Sequence, residues 1–83
     1  MYNINGGDGM YTEKENCARY IVMCVNEFAE RKNIDRRSSF RYLYNNNGID
    51  FLMKHYEIEH TLPMDDTIEA LTIVCMKNGG MIE

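Results

Sequence analysis

The sequence predicts an all-α fold, a compact bundle of about four short helices, and three observations carry that prediction. Apolar residues recur at helical spacing, most clearly Cys17, Ile21, Cys24 and Phe28. Helix-start chemistry stands ahead of the periodic stretches, in Thr12 with Glu15, in Asp35, and in Asp66 with Glu69. The breaks between them are short and polar, which suits antiparallel or steeply crossed neighbours.

Each element follows from local residues. Residues 1–11 are polar, Gly-rich and aperiodic, and are expected to form a disordered tail. The Gly6-Gly7-Asp8-Gly9 run before Met10 can be encoded by a purine tract placed like a ribosome-binding site, so translation is expected to start at Met10 rather than Met1. Residues 12–80 are expected to form one helical domain. The first helix opens on a Thr12–Glu15 capping box and runs to Lys32, with Asn33 as its stop. Tyr20, Val25 and Ala29 widen its apolar stripe. Asp35 caps the second helix, whose apolar edge is read as Phe40, Leu43 and Tyr44. Asn45-Asn46-Asn47-Gly48 breaks it, because Asn and Gly tolerate left-handed backbone. The third helix takes residues 49–56, with Ile49, Leu52, Met53 and Tyr56 on one side. Residues 57–64 are read as a connection, since Pro63 disfavours helix at Leu62. The last helix opens at Asp65-Asp66, carries Ile68, Leu71, Thr72, Val74 and Cys75 on its apolar face, and closes at Gly79-Gly80. Thr72-Ile73-Val74 would also suit a strand; the end signals favour helix.

The totals exclude several classes. Eighty-three residues make one domain able to bury a small core without disulfides. A net charge of -4 gives no general attraction to nucleic acid or anionic membrane. No apolar run approaches the roughly 20 residues of a membrane span, and no leader pattern opens the chain, so a cytoplasmic protein is expected. Cys17 and Cys24 lie seven residues apart, about 10 Å along a helix and too far for a disulfide. All three cysteines are read as reduced core thiols, the alternative being oxidative pairing of Cys75 with a first-helix thiol.

No motif assembles a reaction centre, and neither metal, cofactor nor enzymatic activity is expected. His55 and His60 diverge by roughly 140° around a helix and would sit on opposite faces of a strand, so they do not chelate. Asp65-Asp66 reads as helix-start chemistry. No phosphate-binding Gly-Lys loop is present. His60, at a chain reversal, is expected to bond carbonyls orphaned at a helix end, with Thr61 fixing the turn. An enzyme using His60 with Asp66 is the least favoured reading. The apolar stripes are expected to close over one another and leave no cavity for chemistry.

Surface composition points to a partner. Arg31, Lys32, Arg36, Arg37 and Arg41 gather five of nine basic residues in eleven positions, while acids concentrate in the C-terminal half. Such lopsided charge steers a charged partner or allows head-to-tail self-association, with a homodimer as a further candidate assembly. One of Tyr42 and Tyr44 must face outward, and exposed Tyr favours protein interfaces. Seven methionines add adaptable contact surface. Arg36, Arg37, Arg41 and Tyr42 are the partner-binding candidates.

Three stretches carry a resemblance: "YIVMCVNEFAERKNI", "FRYLYNNNGIDFLMKHYEIEHT" and "DDTIEAL". With Cys24, Glu27, Ala29 and Ile34, then Leu52, Tyr56, His60 and Thr61, then Asp66 and Ile68, the chain resembles an uncharacterised family of short bacterial proteins, domain of unknown function 3791. The family tends to have Leu where this chain has Glu59, and polar or Gly residues where it has Leu62-Pro63. The resemblance marks Tyr56, His60 and Thr61 as a recurring unit. It implies a small companion of a larger protein encoded beside it, some of those resembling ADP-ribosyltransferases. The expected function is thus a non-enzymatic, antitoxin-like accessory module that binds another protein, such as a neighbouring gene's product. The alternative is a nucleic-acid-binding regulator using the basic cluster around the second helix.

Overall fold

Thr12 starts the first helix, α1 (Glu13–Lys32), by reciprocal capping. Its hydroxyl accepts from the Glu15 N–H at 3.1 Å, and the Glu15 carboxylate accepts from the Thr12 N–H at 2.8 Å. The structure is a computed structural model describing residues 11–80. The expected disordered tail, Tyr11 excepted, and the expected Met10 start lie outside the described residues.

Every element among them is helical. α2 is Arg36–Asn45, α3 Gly48–Lys54, α4 Tyr56–Glu59 and α5 Met64–Lys77. The all-α bundle is as the sequence predicts, with one turn more than expected. α1 ends where Asn33 turns left-handed (φ 59°) and Ile34 N–H reaches the Ala29 carbonyl at 2.9 Å. Asp35 then caps α2, accepting from the Ser38 N–H at 2.7 Å, and those Ser38 bonds hold its carboxyl below the usual range. Asn47 carries the left-handed turn before α3 (φ 69°). Gly48 serves a different purpose: a Cβ there would lie 3.0 Å from Leu43 Cδ2 and 3.1 Å from both Cys75 Sγ and the Leu43 carbonyl. Its hydrogen lets α2, α3 and α5 meet. α5 closes with Gly79 at φ 88° and with Gly80 N–H on the Cys75 carbonyl at 2.9 Å.

Two expected boundaries are corrected. The third helix does not continue through Tyr56; His55 (φ -115°, ψ 21°) ends α3 and precedes the separate turn α4. The connection expected over 57–64 is therefore partly helical. α5 starts one residue early, with Pro63 in the N-cap position and no side-chain cap, so Asp66 and Glu69 form no capping box. Pro63 is extended (φ -59°, ψ 147°) and lacks the N–H that helix entry would orphan. Asp65 and Asp66 remain in the first turn, where the helix dipole favours acids.

The core is small and continuous. Cys24, Val25, Phe28, Leu43, Ile49, Leu52, Ile68, Leu71 and Cys75 form it, with Tyr20, Ile21, Tyr42, Phe51 and Met64 packed against it. α1 sends fully buried side chains into this core only from Cys24 onward; before it, Tyr20 and Ile21 pack half-buried against the core. Ser39, fully buried, donates to the Val25 carbonyl at 2.8 Å and lets α2 approach α1 closely. That contact reorients α2. Its buried side is Ser39 and Leu43, with Tyr42 half-buried, and not the expected Phe40–Leu43–Tyr44 edge.

Candidate functional site

The four residues expected to bind a partner separate in the structure. Arg36, Arg37 and Arg41 are exposed on the outer side of α2. None makes an ion pair among the described residues. Tyr42 turns inward, stacking on Phe28 with ring centroids 5.7 Å apart. The outward aromatic is Tyr44, 64% exposed, stacked at 5.9 Å on Phe40, itself 47% exposed. Arg36, Phe40 and Tyr44 follow at four-residue intervals and share a face, which Arg37 and Arg41 flank. The sequence held a signal for this. Ser39 and Leu43 define a small-then-large stripe, and Phe40 and Tyr44 must lie to one side of it.

Other cations of the basic cluster are committed elsewhere. Arg31 bonds Glu27 at 3.3 Å and also pairs with Asp65, tying α1 to α5. The Lys32 ammonium stands 5.5 Å from the Phe28 ring centroid.

Tyr56, His60 and Thr61 form the turn expected of them. His60 Nδ1 donates to the Tyr56 carbonyl at 2.6 Å, and Thr61 Oγ1 donates to the Ile58 carbonyl at 2.7 Å. The ring is exposed rather than buried. It stacks on Tyr56 at 4.4 Å, and both rings meet Tyr20 edge-on, at 6.4 and 5.5 Å. Behind this corner lies a polar relay. Tyr20 Oη and Thr67 Oγ1 are 3.2 Å apart, and Thr67 Oγ1 reaches the Glu59 carbonyl at 3.4 Å. Glu59 Oε1 is buried with no hydrogen-bond partner. Burial raises the Tyr20 hydroxyl pKa, and burial pushes the Cys24 thiol up to about 11.

The expectation of a closed bundle is overturned at one place. The uncovered first half of α1 and the α3–α4 corner bound an open cleft of about 800 Å³. Cys17, Ala18 and Ile21 form one wall, and Met53, Tyr56 and Ile58 the other. Glu13, Lys14, Lys54, His55 and Glu57 rim it. The helices diverge here because α1, 20 residues long, outruns the seven-residue α3 beside it. Cys17 is consequently not a core thiol; it is half-buried in the cleft wall, while Cys24 and Cys75 are buried as expected. Burial pushes Cys75 likewise up to about 11.

Among the described residues no group of three or more His, Cys, Asp or Glu is arranged to hold a metal ion. No described helix is long and apolar enough to cross a membrane. His60 spends its Nδ1 on the Tyr56 carbonyl, with no hydrogen bond to Asp66.

No curated protein and no solved structure matches the chain. Residues 19–78 do match a family model, and that span holds the α2 face, the Tyr56–His60–Thr61 turn and the close packing at Gly48, so the chain belongs to the family described as protein of unknown function (DUF3791).

Proposed function

We propose that this protein is a non-enzymatic, antitoxin-like accessory module that binds another protein through the outer face of α2. One observation carries the reading: Phe40 and Tyr44 stack in the open beside three arginines that have no acidic partner among the described residues. Aromatic and Arg side chains are the groups that concentrate binding energy at protein interfaces. Solvent-exposed guanidinium groups select an acidic surface and speed encounter with it. The occupant that fits is an acidic face of a companion protein, for which the product of a neighbouring gene is the first candidate. Binding measured by calorimetry against that product is expected to weaken about tenfold or more in Phe40→Ser/Tyr44→Ser. Arg36→Glu/Arg37→Glu/Arg41→Glu is expected to abolish it, with the far-ultraviolet dichroism of both variants unchanged. Full binding by the triple variant would refute the reading.

A second reading uses the same residues. Free arginines interleaved with stacked aromatics also suit nucleic acid, by phosphate contact and base stacking. Binding to labelled duplex DNA that falls steeply with salt, and that is lost in Arg36→Ala/Arg37→Ala, would replace the protein partner with a nucleic acid.

A further inference from the structure

We infer that the cleft between the first half of α1 and the α3–α4 corner is the contact surface of a two-fold homodimer, in which each copy's projecting α1 seats in the other's cleft. Two features lead there. Before Cys24, α1 has no fully buried residue, yet it carries an apolar series at helical spacing in which Cys17 and Ile21 are only half-buried and Ala18 and Val22 are exposed. An apolar helical face of that kind is normally covered by another element. Across the cleft, Met53 and Ile58 are 56% and 65% exposed. One molecule thus presents a ridge and a groove side by side, and a two-fold axis brings ridge to groove twice.

Charge selects the occupant. The rim holds two acids, Glu13 and Glu57, and two bases, Lys14 and Lys54, with one of each sign on either wall. With one charge of each sign on either wall, a two-fold rotation can set the acids of one copy against the bases of the other, Lys54 being steadied by Asp50 at 3.4 Å. The rim offers neither an acidic nor a basic partner any net attraction. The α2 face, with its three arginines, would repel a second copy of itself. The two surfaces share no residue, so the dimer stands or falls separately from the partner proposed for α2.

Sedimentation equilibrium tests the dimer. The protein is expected to associate reversibly to two copies. Ile58→Glu or Met53→Glu is expected to raise the dissociation constant about tenfold or more. Both positions are exposed, so unchanged helical dichroism verifies the fold. Glu57→Lys leaves the rim with one acid against three bases, and its weakened association is expected to recover partly at high salt. Cys17 gives an independent readout, because the other two thiols are buried: its alkylation by iodoacetamide is expected to slow as protein concentration rises through the dissociation range. A monomer at all concentrations, Cys17 alkylation independent of concentration, or a dimer broken by Phe40→Ser/Tyr44→Ser and untouched by Ile58→Glu, would each overturn the inference.

Discussion

Glu59 puts one carboxylate oxygen where the molecule has no bond for it. Its Oε1 is buried and unpartnered, beside a Tyr20–Thr67 pair that is already occupied. Burying an unpaired polar group costs about 1–3 kcal/mol. Glu59→Leu is therefore expected to stabilise the fold by about 1–2 kcal/mol, read as a higher urea midpoint with unchanged slope. The thiols make a second prediction at this scale. Cys24 and Cys75 are each pushed up to about 11 by burial, so the folded state holds their protons more tightly than the unfolded state does. Their contribution is intact below the unfolded value near 9 and is lost as pH rises towards 11. By pH 10 the loss is about 1 kcal/mol per thiol, and Tyr20 adds to it at still higher pH. Urea midpoints at pH 8, 9 and 10 check this. The burial of Cys24 and Cys75 was legible in the sequence, and the resemblance marked Glu59 as a departure from Leu, but the burial of its carboxylate was not, since Glu59 reads there as a solvated acid beside Ile58. The structure reverses the two: Glu59 is buried and Ile58 is exposed.

At the scale of elements, the sequence made legible most of what is decided within a few residues, the absent Asp66–Glu69 box being the exception. The Thr12–Glu15 box, the Asp35 cap, the Asn33 stop and the closing glycines depend on local chemistry, and all are found. Removing the first, by Thr12→Ala, is expected to cost about 1 kcal/mol in thermal unfolding. Facing was harder to read, because it depends on a neighbour. Phe40 and Tyr44 look like core until Ser39 is seen to donate to the Val25 carbonyl, which rotates α2 by its smallest residue. Gly48 makes the same point through a test. Ala would raise helix propensity by about 1 kcal/mol, but its Cβ would meet the Leu43 carbonyl, a backbone atom, at 3.1 Å. Gly48→Ala is expected to lower stability by about 1–2 kcal/mol net, since overpacking against fixed backbone outweighs propensity.

For the whole molecule, only part of the surface could be anticipated. The three arginines were identifiable from composition alone. Their aromatic companions were not, since Tyr42 rather than Tyr44 faces Phe28. The cleft could not be foreseen, because it follows from a length mismatch between α1 and α3 and not from any motif. One feature also governs how the molecule comes apart. The single turn α4 is continuous in chain with α3, yet its Glu59 carbonyl is held by the Thr67 hydroxyl of α5, and its Tyr56 packs on Tyr20 of α1. Amide hydrogen exchange should therefore group the backbone of 58–62 with α5 as one cooperative opening unit, leaving α3 to exchange apart from it.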